Sequence, residues 1–197
     1  MAKIIKLGVE VANQIAAGEV VERPASIVKE LVENAIDAGA CRINITTELG
    51  GKRLIRVEDD GEGMSREDAC LALERHATSK LTAIEDLSAI RTLGFRGEAL
   101  PSIASACHFQ LKTRSRGSEV GTEVQVDGGV TSSVREVGVP EGTAIEVTDL
   151  FYNLPARRKF LKSDSAESRH ISRAITQIAL GYPEIGFSLT SANRSLL

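Results

Sequence analysis

The chain has 197 residues, of which 42% are hydrophobic and 26% are charged, which is the composition of a soluble globular core. Aromatic residues make up only 4% and tryptophan is absent, so few rings can stack on exposed bases, which argues against a single-stranded nucleic-acid platform. The net charge of -3 gives no overall attraction to phosphate backbones, so any DNA contact must be local or shared with a partner. No apolar run approaches the roughly 20 residues of a membrane span, and the start of the chain does not form a signal peptide. We therefore expect a cytoplasmic protein without membrane association.

The three cysteines, Cys41, Cys70 and Cys107, are far apart and form no C-x-x-C pair, which argues against a zinc site or a disulfide framework. The chain stops at Leu197, directly after a strand-like run over 185–192 and without a closing turn. We expect it to be a piece of a longer protein.

Two helices and a hairpin are predicted at the start of the chain. The first helix covers Val9–Val20, and the second begins at Pro24 and closes at Gly39, because proline suits the first helical turn and glycine the end. Residues 41–58 then alternate with a period of two around a Gly50-Gly51 turn, which predicts a β-hairpin.

A short helix and two loops follow the hairpin. Ser65 to Asp68 has the form of a capping box, which predicts a helix that extends to about Arg75. A polar loop over 76–80 and a glycine-rich stretch over 94–97 come next.

Strands and helices return in separate blocks after Cys107. Strands are predicted over 109–113, 119–126, 130–137, 143–148 and 185–192, and helices over 156–161 and 166–180. The short glycine-containing links between the first four strands favour antiparallel pairing. Because helices and strands do not alternate as βαβ units, the order favours an α+β sandwich over a doubly wound parallel fold.

Three polar residues share one face of the helix that begins at Pro24. At 100° per residue, Glu30, Asn34 and Asp37 fall within an arc of roughly 60°, away from the apolar side. Such a face is commonly just solvated, and the pattern alone leaves that interpretation open. The residue types point to chemistry, because Glu30 can accept a proton from water and the Asn34 amide oxygen is a neutral ligand for Mg²⁺.

The motif Asp59-x-Gly61-x-Gly63 lies between a predicted strand and a predicted helix. Its glycines allow positive φ and the close approach of a ligand, while a carboxylate at the strand end can accept a hydrogen bond from an exocyclic amine. An ordinary turn stays open as the alternative, because Asp-Gly is common turn chemistry. The neighbouring Asp60 does not make a calcium loop, since the other ligands of an EF-hand are missing.

The stretch Gly94-Phe95-Arg96-Gly97-Glu98-Ala99-Leu100 places glycines before a predicted helix start. Backbone N–H groups and the positive end of the helix dipole could hold phosphates there. A flexible loop would suit the same glycines, and the missing G-x-x-x-x-G-K-[ST] pattern excludes a P-loop.

The order and spacing of these motifs resemble the GHKL ATPases, a family that includes gyrase-type topoisomerases, a heat-shock chaperone class and histidine kinases. The sequence runs from Glu30-x-x-x-Asn34 through Asp59-x-Gly61-x-Gly63 and the Gly94–Gly97 loop to Gly142-Thr143. Within that family, the blocks 14–24, 94–100 and 149–160 are similar to the MutL family of DNA mismatch repair proteins. The likeness covers essentially the whole chain.

The resemblance implies a Bergerat-type ATP-binding fold, which is an α+β two-layer sandwich of a mostly antiparallel mixed sheet with helices on one face. Residues 1–197 would form one ATPase domain that ends before a following transducer domain. In this family a lysine of that next domain completes the γ-phosphate site, so we expect the chain alone to bind nucleotide weakly and to hydrolyse little.

The resemblance also implies a role for each motif. Glu30 is expected to be the catalytic base that deprotonates the attacking water, and Asn34 to bind ATP and ligate Mg²⁺. Asp59 is expected to accept the adenine amino group with support from Thr143 through a water, and Gly63 to give the base room. The remaining ATP-binding residues are expected in two loops, Thr78, Ser79 and Lys80 in the first, and Gly94, Phe95, Arg96, Gly97, Glu98, Ala99 and Leu100 in a lid.

The partners implied by the resemblance are those of mismatch repair. ATP is expected to order the lid and an exchanged segment, Lys3–Leu7, so that two domains form a homodimer that links a MutS-like mismatch recognition protein to a strand-cutting endonuclease. From sequence alone Lys3–Leu7 would serve equally as an ordinary edge strand. DNA is expected to bind weakly, mainly through the full-length dimer, and the basic cluster of Arg157, Arg158, Lys159 and Lys162 either touches it or is a solvated face.

Two other functions are open. One is a non-catalytic nucleotide-binding module, which Glu30 argues against because a mere binder does not need a carboxylate at that position. The other is the ATPase domain of a type II topoisomerase, which the MutL-like blocks disfavour.

Overall fold

The computed structural model describes residues 21–79, 92–94, 97–191 and 194–196. The predicted helix over Val9–Val20 and the segment Lys3–Leu7 lie outside the described residues, as do Lys80, Phe95 and Arg96 of the expected site. In the described part of the chain, no helix combines the length and apolar character that crossing a membrane requires.

The predicted helix and hairpin at the start of the chain are confirmed. Helix α1, Pro24–Asp37, has its proline in the first turn and ends just before the expected glycine. Strands β1, Arg42–Glu48, and β2, Leu54–Asp59, pair antiparallel around a short 3-10 turn, Leu49–Gly51.

The next helix starts as predicted but ends early. In α2, Arg66–Leu71, the N-cap Ser65 accepts a hydrogen bond from the Asp68 N–H, as in the expected capping box. The prediction that this helix reaches Arg75 is wrong, because 3-10-type turns follow Leu71 and the His76 N–H donates to the Gly97 carbonyl at 3.2 Å. The tertiary bond to the glycine loop competes with another helical turn and stops the helix.

The remaining elements match the predicted blocks to within a few residues, except for the final strand, Arg194–Ser195, which was not predicted. The helices are α3, Ala99–Ala104, α4, Pro155–Phe160, and α5, Asp164–Gly181. The strands are β3, His108–Arg114, β4, Gly121–Asp127, β5, Val130–Val137, β6, Gly142–Thr148, β7, Gly186–Ser191, and β8, Arg194–Ser195.

Within the described residues, the strands form a mixed sheet in the order β5-β4-β3-β6-β2-β1-β7-β8, in which β1 and β7 pair parallel and the other neighbouring strands pair antiparallel. Antiparallel pairing of successive strands is confirmed for β3 with β4 and for β4 with β5, but it is wrong for β5 with β6. Strand β6 lies between β3 and β2, where its apolar side chains Ile145 and Val147 are buried. Strand β5 is mostly exposed and forms the sheet edge.

The core lies between one face of the sheet and the helices. Strand side chains alternate between buried and exposed, so the outer sheet face is polar and the inner face packs on α1 and α5. The inner layer includes Ile43, Ile45, Ile55, Val57, Phe109, Leu111, Ile145 and Val147 from strands and Ile27, Leu31, Ile171 and Ile175 from helices. The predicted two-layer α+β sandwich with helices on one face is thereby confirmed.

Candidate active site

The polar face predicted for α1 lies at the margin of this core. Glu30, Asn34 and Asp37 are each half-buried, whereas Ile27 and Leu31 on the apolar side are fully buried. Positions three and four apart are neighbours on a helix, so the three side chains follow one another along a single stripe. A stripe of this kind, half removed from solvent, can act on a ligand that lies against the helix.

Asp37 ties the glycine-rich loop to the end of α1. One of its carboxylate oxygens accepts the Leu93 N–H at 3.0 Å, and the other accepts the Gly94 N–H at 3.2 Å. The sequence placed Asp37 on the polar face but gave it no role. The contact joins residues 56 and 57 positions apart, which sequence spacing does not reveal.

The motif around Asp59 also contacts the end of α1. The Glu62 N–H donates to the Ala38 carbonyl at 2.9 Å, and a side chain at Gly61 would meet that carbonyl oxygen at 2.8 Å. The end of α1 therefore contacts both the Asp59 motif and the Gly94 segment. Three separate motifs of the sequence come together at this point.

Asp59 ends β2 on the inner face of the sheet, where it is half-buried. Burial raises its pKa to about 6, although the N–H groups of Gly61 and Thr143 donate hydrogen bonds to its carboxylate. The carboxylate is thus ionised near neutral pH and accepts hydrogen bonds only.

The adjacent Asp60 has a structural role. Its carboxylate accepts the N–H groups of Cys41 and Arg42 at 2.8 Å and pairs with the Arg42 side chain at 3.0 Å, which joins the end of β2 to the start of β1. Burial tends to raise the pKa of Asp60, but these hydrogen bonds outweigh it and the pKa lies below its usual value.

Asp59 belongs to a row of polar side chains that crosses the inner face. Thr143 of β6 lies directly opposite Asp59, and Thr113 of β3 lies directly opposite Thr143. Thr113 is fully buried, and its hydroxyl lies 3.0 Å from the Thr143 hydroxyl. Sequence reasoning missed Thr113, since it stands in a β-strand pattern and only the strand register brings it to the site.

Two glycines allow the backbone to approach closely around this row. A Cβ on Gly63, which has φ +66°, would lie 2.0 Å from the Arg114 carbonyl oxygen, and one on Gly142, at φ +108°, would lie 2.1 Å from the Asp59 carbonyl oxygen. Both positions therefore require glycine for packing. The expected role of Gly63 toward a base stays a prediction.

The two loops that are expected to bind the nucleotide are in contact where they are described. The His76 N–H donates to the Gly97 carbonyl, so the segment with Thr78 and Ser79 begins beside the glycine loop. Glu98 directly precedes α3, and Ala99 and Leu100 form its first turn. The Glu98 side chain makes no capping hydrogen bond and pairs instead with His76 at 3.5 Å.

The basic cluster of α4 is partly engaged in structure. Arg157 donates to the Val21 carbonyl at 3.3 Å and lies 6.0 Å from the centroid of the Phe151 ring. The side chains of Arg158, Lys159 and Lys162 are exposed, with Phe160 between them. Within the cluster, Arg157 therefore makes contacts inside the protein, and the other three basic side chains face solvent.

A cavity of about 220 Å³ lies near α3, β4 and β5, with Leu73, Pro101 and Val126 in its lining. Its lining contains none of the predicted site residues. Across the described ranges, no three His, Cys, Asp or Glu side chains are grouped so that they could hold a metal ion. A metal in the candidate site would need most of its ligands from a bound molecule and water.

The chain matches a known ATPase family. The family described as "Histidine kinase-, DNA gyrase B-, and HSP90-like ATPase" matches residues 22–155. The chain belongs to this family, which confirms the expected fold class.

Within that family the chain is similar to DNA mismatch repair proteins named MutL. It is 56% identical over 197 residues to the protein of Anaeromyxobacter dehalogenans and 59% identical over 194 residues to that of Opitutus terrae. These matches cover 100% and 98% of this chain but only 32% and 31% of the relatives. The chain thus spans about a third of the length of these relatives.

Solved structures agree with this placement. The Aquifex aeolicus MutL ATPase domain complexed with ADP has a TM-score of 0.72 and 39% identity, and the match covers 90% of this chain and 63% of that one. The N-terminal domain of a DNA repair protein has a TM-score of 0.74 and 29% identity, with 94% and 54% coverage.

Proposed function

We propose that the chain is an ATP-binding and slowly hydrolysing switch domain of a MutL-like mismatch repair protein. The observation that carries the proposal is the meeting of three motifs at the end of α1, where Asp37 bonds to Leu93 and Gly94 and Ala38 bonds to Glu62. A nucleotide between these motifs would have its base at Asp59 and its phosphates at the glycine loop.

The base would be held by the polar row on the inner sheet face. The ionised Asp59 carboxylate accepts hydrogen bonds only, so it suits the exocyclic amine of adenine. Thr143 lies opposite Asp59 in the sheet and would support the same edge of the base.

The phosphates would be held mainly by backbone groups. The N–H groups of Gly97, Glu98, Ala99 and Leu100 precede or open α3, and Glu98 does not cap that helix with its side chain. Gly94, Phe95 and Arg96 would complete the lid, while Thr78, Ser79 and Lys80 would border the nucleotide.

The residues present fit a Mg²⁺ ion that is bound largely by phosphate oxygens. Mg²⁺ keeps several waters and commonly takes one or two protein ligands, and the half-buried Asn34 offers one neutral amide oxygen. When bound, the ion would neutralise charge on the phosphates.

Glu30 would act as the general base. It lies four residues before Asn34, about 6 Å along the helix axis, so a water held near the phosphates would be within its reach. Phosphoryl transfer depends mostly on positioning and on neutralised charge, which backbone amides provide here without a P-loop lysine.

The rest of the protein would complete the activity. We propose that residues 1–197 form one ATPase domain, followed by a transducer domain whose lysine completes the γ-phosphate site. The domain would form a homodimer on ATP binding and connect a MutS-like protein to an endonuclease in the cytoplasm, with weak DNA contact mainly in the full-length dimer. The relatives are about three times as long, which supports further domains.

The sharpest test compares two carboxylates of α1 in the full-length protein. Glu30→Gln is expected to reduce ATP turnover by about 100-fold or more while leaving ATP binding within a few-fold, because only proton abstraction is lost. Glu33→Gln is the matched control, since Glu33 pairs with Lys29 at 3.0 Å on the same helix.

Steady-state hydrolysis and equilibrium ATP binding are measured for both variants. If Glu30→Gln hydrolyses ATP as fast as Glu33→Gln, the catalytic role of Glu30 is wrong. A non-catalytic nucleotide-binding module would be the better description if the unaltered full-length protein binds ATP but does not hydrolyse it.

A further inference from the structure

Thr113 lies at the centre of the polar row on the inner sheet face, although no motif includes it. Its side chain is fully buried, and its register partners are Thr143 on β6 and Thr122 on β4. A buried hydroxyl needs hydrogen-bond partners, and the identity of those partners decides what Thr143 can offer to a ligand.

The Thr113 hydroxyl makes three close contacts. It lies 2.9 Å from the Met64 backbone nitrogen, 3.0 Å from the Gly142 carbonyl oxygen and 3.0 Å from the Thr143 hydroxyl. A hydroxyl has one proton to donate and two lone pairs to accept with.

One assignment of protons makes all three contacts hydrogen bonds at once. The Met64 N–H can only donate to Thr113, and the Gly142 carbonyl can only accept the Thr113 proton. The remaining lone pair of Thr113 must then accept the proton of the Thr143 hydroxyl. The Thr143 hydroxyl then has no further proton to donate, so it can only accept a hydrogen bond from a ligand.

We infer that Thr113 is a positioning residue that fixes Thr143 as a hydrogen-bond acceptor and thereby helps the base subsite to select an exocyclic amine. This inference rests on the proposed function, because it concerns the base of the proposed nucleotide. Asp59 and Thr143 both accept hydrogen bonds through their side chains, and a carbonyl oxygen in the position of the amine would face these oxygens without a proton between the two acceptors.

The inference predicts a change in discrimination between bases. In Thr113→Val the Thr143 hydroxyl proton is no longer held by Thr113 and can be donated to a carbonyl of the base. The substitution should therefore weaken the binding of inosine triphosphate less than it weakens the binding of ATP. The loss of the Met64 anchor should weaken binding of both nucleotides by about tenfold. The ratio of the dissociation constants of inosine triphosphate and ATP should fall by about fivefold or more.

Two variants separate this role from a general effect on folding. Thr113→Ser keeps the hydroxyl and should retain the discrimination ratio of the unaltered protein. Thr47→Val is the matched control, because Thr47 is a buried strand threonine of β1, near the opposite strand end from the Asp59 pairing. It should leave the ratio unchanged.

Binding of ATP and of inosine triphosphate is measured by calorimetric titration of the full-length protein with Mg²⁺. A fallen ratio in Thr113→Val, with the ratio kept in Thr113→Ser and Thr47→Val, supports the inference. If Thr113→Val does not fold, Thr113→Cys is used with the same expectation, since a thiol is only a weak donor and acceptor.

An unchanged ratio in Thr113→Val or Thr113→Cys overturns the inference and leaves the proposed function intact. Failure of the unaltered protein to bind either nucleotide would overturn both, and the proposed function would be the part that failed.

Discussion

Two adjacent aspartates at the end of β2 differ in what the native fold does to their charge. Burial raises the pKa of Asp59 to about 6, whereas hydrogen bonds from Arg42 and Cys41 overcome burial and lower that of Asp60. A raised pKa means that the ionised carboxylate costs stability in the native state, and a lowered pKa means the reverse. The ionised Asp59 therefore lowers the free energy of unfolding of the ligand-free protein, whereas the ionised Asp60 raises it and stabilises the sheet.

Substitution of each aspartate by asparagine should therefore change stability in opposite directions. At pH 7.5, Asp59→Asn is expected to raise the free energy of unfolding of the ligand-free protein by roughly 1–2 kcal/mol, because no charge is buried. The gain should fade as the pH falls from about 6 to 3.8, the ordinary pKa of an aspartate, since below pH 3.8 Asp59 is protonated in both the native and the unfolded state. Urea unfolding from pH 4 to pH 8 measures this dependence.

Asp60→Asn is the control for that experiment and should destabilise the protein at pH 7.5. Its effect should persist from pH 8 down to pH 4, because the lowered pKa of Asp60 lies below that range, and it should diminish only at lower pH, where the native carboxylate loses its charge. If both substitutions change the free energy of unfolding in the same direction at pH 7.5, the environments of Asp59 and Asp60 do not differ as described. ATP affinity should fall in Asp59→Asn and stay nearly constant in Asp60→Asn.

At the scale of elements, α1 organises the site because it connects two loops that are remote in sequence. Asp37 lies at the C-terminal end of the helix, where the helix dipole disfavours a negative charge. Helix stability therefore does not explain this residue. Its two hydrogen bonds to Leu93 and Gly94 do, because they fix the point at which the glycine loop begins.

Removal of this connection should loosen the loop and weaken nucleotide binding. Asp37→Ala leaves both N–H groups without their acceptor, and ATP affinity is expected to fall by roughly tenfold. Hydrogen exchange at the Leu93 and Gly94 amides should become faster, while amides in the middle of α1 keep their protection.

Asp37→Asn retains one good acceptor and should give an intermediate affinity. Glu33→Gln serves again as the control on the same helix. Unaltered exchange at Leu93 and Gly94 in Asp37→Ala would argue against a role of Asp37 in holding the loop.

Element types were predictable from sequence because hydrophobic periodicity and capping residues act locally. The proline of α1, the Ser65 cap of α2 and the Gly50-Gly51 turn each lie where expected. Two features were not predictable from the sequence. The end of α2 depends on the hydrogen bond from the His76 N–H to the Gly97 carbonyl, and the position of β6 in the sheet depends on the burial of Ile145 and Val147. Both depend on partners far away in the chain.

At the scale of the whole molecule, the proposed site should link stability to nucleotide. A ligand that binds only the native state stabilises it by about 2.7 kcal/mol at 100 times its dissociation constant. For a domain of this size that corresponds to a rise in Tm of about 5–10 °C.

Thermal unfolding with ATP, with and without Mg²⁺, measures this rise. The largest rise is expected when both are present, and Asp59→Asn should reduce it at the same concentrations. No rise at saturating ATP would contradict nucleotide binding by this fold.

By itself, the sequence determined the element types, the Glu30, Asn34 and Asp59 motifs, and the family to which they point, because each depends on residues a few positions apart. Only the tertiary structure decided that Asp37 holds Leu93 and Gly94 and that Thr113 lies beside Thr143. The strand register and the packing of α1 bring these residues together across long stretches of chain. The net charge of -3 argues against strong binding to DNA phosphates, but it does not argue against the proposed nucleotide site, because that site would hold phosphates by backbone amides.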